Sequence, residues 1–152
     1  VKARDLAQPL PTVTVDSAAL EAARLIAERR LPGIAVLDHQ QRPVALLPAS
    51  DVLRAVVPEP VLDDPSLAGV VDEASADRLC TEGLGRKRVA DLMRPVHQRV
   101  ELAAVEPHDT VVECAALMAR LHSPAVVVID NGELVGVVTA AHLLEVLLNR
   151  PG

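Results

Sequence analysis

The feature that most constrains this chain is that it spells one pattern twice. Pro32-Gly33-Ile34-Ala35-Val36-Leu37-Asp38 followed by Val44-Ala45-Leu46-Leu47 is echoed by Pro124-Ala125-Val126-Val127-Val128-Ile129-Asp130 followed by Val135-Gly136-Val137-Val138. Apolar helical patterns flank each copy, so residues 16–53 align with 108–144 with one extra residue in the first hairpin. A unit of this size has too little material to cover two helices and a small sheet, so two units must bury together what one cannot. Duplication of this kind builds sites at the seam between copies.

In the first copy, Ala18, Leu20, Ala22, Leu25 and Ile26 recur at helical spacing over residues 17–30, with Asp16 or Ser17 placed to cap the first turn. Pro32 ends that helix, residues 34–37 read as a buried strand, and residues 39–42 join it to a second strand at 44–47. Pro48-Ala49-Ser50-Asp51 opens a helix that runs to about Val57. The second copy repeats the order: helix 109–121, strand 125–129, an Asn131-Gly132 turn, strand 134–138 and helix 139–149. Asn-Gly is the signature of a type I′ hairpin, whose two central residues both need positive φ. The expected fold is α/β (α+β): two pseudo-symmetric units, each with a small sheet and two helices, packed sheet to sheet.

By this reading residues 1–57 form the first unit and 89–152 the second, with an acidic, partly helical insert at 58–88. Pro58, Pro60 and Pro65 mark a break, Asp63-Asp64-Pro65 a turn, and Leu67, Val70, Val71, Ala74 and Leu79 one helix with Asp72, Glu73, Asp77 and Glu82 on its wet side. Gly83 and Gly85 are expected to stop that helix. Arg86-Lys87-Arg88 then leads into a short helical stretch at 89–93, echoed near the start by Ala3-Arg4-Asp5-Leu6.

At 152 residues, half of them hydrophobic, the chain suits one ordinary core or two small co-folded halves. No apolar run approaches the roughly 18 to 20 residues of a membrane span, since residues 134–148 are broken by Thr139, His142 and Glu145. With no signal peptide at Val1 and only Cys80 and Cys114, no membrane insertion and no disulfide framework are expected, and the compartment expected is the cytosol. A net charge of −6 repels a phosphate backbone, and the absence of Phe, Tyr and Trp removes the platforms on which single strands stack, so nucleic acid is disfavoured. Any base bound here has to lie between aliphatic side chains.

Asp91-Leu92-Met93-Arg94-Pro95, the segment 124–130 and the run 134–144 together resemble the cystathionine-β-synthase-type (CBS) domain. The first copy resembles it through Asp5-Leu6, residues 13–16, 31–38 and 44–53. A tandem pair in this family forms a Bateman module, which binds adenosine-containing ligands in clefts between the two domains. The family's nucleotide motif is Gly, apolar, any residue, Thr or Ser, two residues, then Asp, with the Asp on the ribose hydroxyls. A carboxylate accepts from both hydroxyls of a cis-diol, and backbone N–H groups at the start of the following helix favour phosphate.

Each copy carries half of that motif. The first reads Ala45-Leu46-Leu47-Pro48-Ala49-Ser50-Asp51, keeping the Asp, and the second reads Gly136-Val137-Val138-Thr139-Ala140-Ala141-His142, keeping the hydroxyl residue. For the first cleft the resemblance implies Asp51 as ribose acceptor and Ser50 as substitute hydroxyl, with Val13, Leu31, Gly33 and Ile34 as adenine walls and backbone partners. For the second it implies His142 on one hydroxyl, with Thr139, Val105, Ser123, Ala125 and Val126 around it. The plainer reading is that Asp51 charges the first turn of its helix and Thr139 caps the next. Arg30, Arg99, Arg120 and His122 are the phosphate candidates by position in the repeat, against a plainer reading as solvated surface groups.

The histidines and cysteines show no C-x-x-C or H-x-x-x-H spacing, so no metal is expected, and Cys114 falls on an apolar helix stripe as a small core residue. Gly83-Leu84-Gly85-Arg86-Lys87 lacks Walker spacing and follows a helix, which makes it a linker, and no nucleophile and base pair points to an enzyme. The resemblance therefore implies a stand-alone regulatory or sensor module. It would take AMP, ADP, ATP or S-adenosylmethionine as regulatory ligand, require no cofactor, form a homodimer and act on a separate target protein. The competing expectation is a ligand-free interaction or assembly module with vestigial clefts.

Overall fold

A computed structural model describes residues 1–95 and 101–149. It contains two three-stranded sheets of one topology. In the first, β1 (Thr12–Thr14) runs parallel to β2 (Gly33–Leu37), which pairs antiparallel with β3 (Pro43–Pro48). In the second, β4 (Ala104–Val105) runs parallel to β5 (Ala125–Asp130), antiparallel in turn to β6 (Glu133–Thr139). Both hairpins shift register at the same place in the repeat, between Val36 and Leu37 and between Val128 and Ile129. The second hairpin turns on Asn131 (φ 51°) and Gly132 (φ 83°), as the Asn-Gly pair predicts.

Helices α2 (Ala19–Arg29) and α7 (Val111–Leu121) precede the central strands, and α3 (Ala49–Arg54) and α8 (Ala140–Leu148) follow the outer ones. Both α2 and α7 end in a left-handed residue, Arg30 and His122, each at φ 51°, so these two phosphate candidates act in the backbone as helix stops. Helix α7 opens with a capping box: the Thr110 hydroxyl accepts from the Glu113 N–H at 3.1 Å, and the Glu113 carboxylate accepts from the Thr110 N–H at 3.4 Å. Helix α2 starts later than Asp16 or Ser17 would predict, with Ala18 at the cap and no side-chain bond. Ser17 instead accepts from the Thr14 N–H, and the Ala19 N–H is held by the Lys87 carbonyl from another segment. Helix α3 ends at Arg54, short of Val57.

The short helices α1 (Ala3–Leu6) and α6 (Val89–Leu92) exchange units. Ala3 and Leu6 are buried with Val105, Val111, Cys114, Met118, Val126, Val128 and Val138 of the second repeat, whereas Val89 and Leu92 are buried with Val13, Ala22, Ile34, Val36 and Leu47 of the first. Matched backbone bonds fix the exchange. The Ala3 and Arg4 N–H groups donate to the Asp109 and Pro107 carbonyls, and Val89 and Ala90 donate to Ser17 and Val15. Packing units therefore cross the sequence boundaries at 57 and 89. A third cluster, Ala35, Ala125, Val127 and Val137 with Leu10, Leu46, Leu102, Ile129 and Leu134 around it, joins the two sheets. Its small side chains allow the sheets to meet face to face.

Between the repeats stand α4 (Glu59–Asp63), a 3-10 helix (Pro65–Val70) and α5 (Glu73–Gly85). The single helix expected from Leu67 onward is split, because the Asp72 carboxylate accepts from the Ser75 N–H at 2.7 Å and starts a new helix there. Leu67 and Val70 are exposed; among the described residues of the insert, Leu84 alone is buried, in the first unit's core. Gly83 does not stop α5 but lies inside it, where a side chain would collide with the Ala55 carbonyl just beyond α3. Gly85 is its last residue.

Candidate functional site

Asp51 is the buried charged residue among those described, and it sits on the third position of α3 behind Pro48. Burying a carboxylate demands a partner. Arg94, just past α6, supplies one: its Nη2 donates to Asp51 Oδ1 at 3.2 Å, and the two side chains are 47% and 7% exposed. The guanidinium is half in water, which screens the pair.

The pair borders a cavity of about 230 Å³ at the seam between repeats. Leu46, Leu47 and Pro48 of the first repeat, Leu102, Ala103, Leu121 and Pro124 of the second, and Met93 give it an apolar lining, to which Glu101, His122 and Ser123 add polar groups. A slot with aliphatic walls and one buried acceptor suits a flat apolar group carrying hydroxyls. The Ser123 hydroxyl donates to the Ala125 carbonyl at 2.6 Å and keeps lone pairs for accepting. A second, more polar cavity of about 310 Å³ shares Asp51, Met93 and Arg94 and adds Arg54, Lys87 and Asp91.

The structure sorts the sequence-derived residues differently from the two clefts written above. Of the first set, Asp51 alone lines the 230 Å³ cavity, and Ser123 and His122 join it from the second repeat. Val13 and Ile34 face the first unit's core at 3% and 1% exposure, Leu31 is buried, and Gly33 backs onto the Leu47 carbonyl, where a side chain would not fit. Ser50 is exposed. Of the second set, Val105 and Val126 are core residues and Ala125 lies in the sheet-to-sheet cluster. Thr139 accepts from the His142 N–H at 3.2 Å as the cap of α8, and His142 Nδ1 stands 3.9 Å from Glu145 Oε2. Ile34, Ala125 and Val126 lie on the central strands β2 and β5, whose side chains are buried on both faces and fill the cores. Arg30 and Arg120 are exposed on the surface, and Arg99 lies outside the described residues.

Met93, Arg94, Leu102 and Leu121 escaped the sequence reading. The signal for Met93 and Arg94 was the Asp91-Leu92-Met93-Arg94-Pro95 motif itself, once α6 is known to cross to the other unit. Elsewhere, Glu106, His108 and Asp109 place three ligand-type atoms within 4.8 Å, a grouping that the spacing rules for metals did not flag. Local contacts account for it: Asp109 accepts from the Glu106 N–H at 2.8 Å, and His108 Nε2 meets Glu106 Oε2 at 3.1 Å. Cys114 is fully buried, and burial first, then the charges of Asp109 and Glu113, push its thiol up. No helix among the described residues is long and apolar enough to cross a membrane.

Comparison with solved structures places this architecture. A CBS domain-containing protein of unknown function from Kribbella flavida is 45% identical, with a TM-score of 0.84 over 98% of this chain and 99% of that one. The CBS domain of a CBS domain-containing membrane protein from Sphaerobacter thermophilus is 28% identical, with a TM-score of 0.70 over 99% and 90%. CBSX2, a CBS-pair protein from Arabidopsis thaliana, has been solved in complex with AMP; that complex is 22% identical, with a TM-score of 0.67 over 97% and 96%, and shares the fold. No curated protein matches the sequence. The CBS domain family model matches residues 3–58 and again 89–149, so the chain belongs to the CBS domain family as a tandem pair.

Proposed function

We propose that the protein is a regulatory module that binds an adenosine-containing ligand at the Asp51 seam and acts on a separate target protein. The observation that carries this reading is the buried Asp51 carboxylate at the edge of an aliphatic slot formed by both repeats. The ribose cis-diol is the ligand group that such an acceptor serves, and leucine and methionine side chains can sandwich a base where no aromatic ring exists. AMP in the CBSX2 complex supports the ligand class. AMP, ADP, ATP and S-adenosylmethionine are the ligands to try. A ligand contacting both repeats would bind their relative arrangements unequally, which is the requirement for passing a signal to a partner.

The expected homodimer has its support in paired apolar exposure. Leu53 on α3 and Leu144 on α8 hold equivalent repeat positions and are 63% and 56% exposed, and Leu148 is 80% exposed. Residues 58–88 are read as an insert between the units, with its acidic face open to a partner.

Calorimetric titration with the four ligands tests the ligand reading. Binding by wild type that Asp51→Ala abolishes or sharply weakens supports it. Absence of heat with every ligand, for a protein that melts cooperatively, would overturn it in favour of the assembly module.

A further inference from the structure

We infer that the insert between the repeats docks a cationic amphipathic segment of the target protein, an inference that rests only on the part of the reading above that gives the module a separate target. Charge is the first observation. Residues 59–82 hold seven acidic residues and one basic one, Arg78, whereas the rest of the chain holds 14 of each. The whole net charge of −6 therefore resides in the insert.

The second observation is apolar. Every residue from 62 to 70 is exposed, and Leu62, Leu67 and Val70 among them are 41%, 38% and 81% exposed. The stretch keeps its form without a core: Asp64 accepts from the Ser66 N–H at 3.2 Å to cap the 3-10 helix, as Asp72 caps α5. Asp63 and Asp64 stand before that helix in sequence and Asp72 and Glu73 after it, so its apolar side chains lie between two carboxylate pairs. An occupant must answer both features. Anionic surfaces, nucleic acid and acidic lipid among them, are repelled, and a purely hydrophilic cation would leave Leu67 and Val70 in water. A protein segment with Lys or Arg flanking an apolar stripe meets the carboxylates and covers the apolar side chains together. The surface also adjoins the proposed site, since Leu62 lines the polar cavity of about 310 Å³ together with Asp51.

The test is fluorescence anisotropy with a labelled peptide of leucine and lysine at amphipathic spacing, about four helical turns long. Two counterparts accompany it, one with serine for every leucine and one with glutamate for every lysine. The proteins are wild type, Leu67→Ser with Val70→Ser, and Asp63→Asn with Glu73→Gln and Asp77→Asn, each first checked by thermal melting; either insert variant suffices if the other does not fold. Wild type is expected to bind the leucine–lysine peptide roughly tenfold more tightly than either counterpart, and each insert variant to weaken it by roughly fivefold or more. Val112→Ser with Glu28→Gln removes an exposed apolar side chain and an exposed carboxylate outside the insert, and should bind as wild type does. Equal affinity for the serine counterpart, equal weakening by the variant outside the insert, or no binding by wild type would overturn the inference. So would a dimer that dissociates, by light scattering, on Leu67→Ser with Val70→Ser, which would assign the surface to a second copy of this chain. Peptide binding that survives while no nucleotide binds would remove the nucleotide reading and leave the docking surface in place.

Discussion

At one seam between the repeats Asp51 pairs with Arg94 beside an open slot; at the other, the equivalent positions are His142 and Gln8, and the chain closes over itself. The Gln8 N–H donates to the Val137 carbonyl and the Val137 N–H to the Gln8 carbonyl, both at 3.0 Å, so the segment after α1 pairs with β6 as a further piece of sheet. Gly136 permits this approach: a Cβ there would lie 2.9 Å from both the Ala7 Cβ and the Gln8 carbonyl oxygen. Its equivalent in the first repeat is Ala45, whose methyl bars so near an approach and which lines the cavity instead. One methyl group and one charge pair distinguish a seam that holds a slot from a seam that pairs as sheet.

The largest expected effect breaks the comparison at its charged member. Asp51→Ala should weaken adenine-nucleotide binding by about 1.5 to 3 kcal/mol, the scale of hydrogen bonds to a charged group, whereas His142→Ala should cost less, since neutral imidazole offers one acceptor. Titration calorimetry on both variants checks the ranking, and the reverse order would move the ligand to the His142 seam. Gly136→Ala forces a methyl against the Gln8 segment and should lower stability by about 1 to 3 kcal/mol, as overpacking does. Chemical denaturation measures it, and ligand affinity at the Asp51 seam should stay within error of wild type. Thr139→Ala removes the hydroxyl that caps α8 and should cost about 1 kcal/mol; the matching position in the first repeat is Pro48, with no side-chain cap to lose. A melting temperature unchanged by Thr139→Ala would show the cap to be idle.

The smallest effect concerns the hairpins. The first turns on Gln41 at φ 64° and is held by Asp38, whose Oδ1 accepts from the Gln40 and Arg42 N–H groups at 2.8 and 3.0 Å. The Arg42 N–H first, and the Gln40 N–H after it, hold the Asp38 carboxyl below its ordinary value. A carboxyl lowered on folding stabilises the fold above its unfolded pKa, and the contribution disappears as pH falls through the folded one. Asp38→Asn should therefore lower the melting temperature slightly at neutral pH and leave it unchanged in strong acid. A difference between variant and wild type that persists in acid would assign the loss to turn geometry and not to charge.

Much of the fold was legible because its signals are local. Residues 124–130 and 134–138 announce a buried hairpin through composition alone, and Asn131-Gly132 fixes its turn. The insert was misread as one helix because its apolar spacing continues past Val71, where the Asp72 side chain in fact opens a new helix. The site was legible in one residue and illegible in its surroundings. Asp51 carries its own motif, but Arg94 reaches it from 43 positions away, and nothing in the spacing of residues 89–95 says that this segment packs on the first repeat. The candidate walls chosen beside each half-motif were strand residues such as Val13, Ile34 and Val126, which local pattern places correctly in a sheet. It could not say that the cavity beside Asp51 is lined by segments of both repeats.

The exchange of α1 and α6 bears on how such a chain could arise. A lone repeat of this geometry would have no core partner for its own first helix and would have to lend it to a second molecule, receiving that molecule's helix in return. Two separate copies would then associate only at concentrations that made the trade worthwhile. Joining them by residues 58–88 turns the trade into an internal one, so that each lead-in helix meets its groove at an effective concentration set by tether length and no longer by expression level. Symmetry is no longer enforced once the copies share a chain, and each half is released to drift. The Asp51–Arg94 seam and the His142–Gln8 seam record that release.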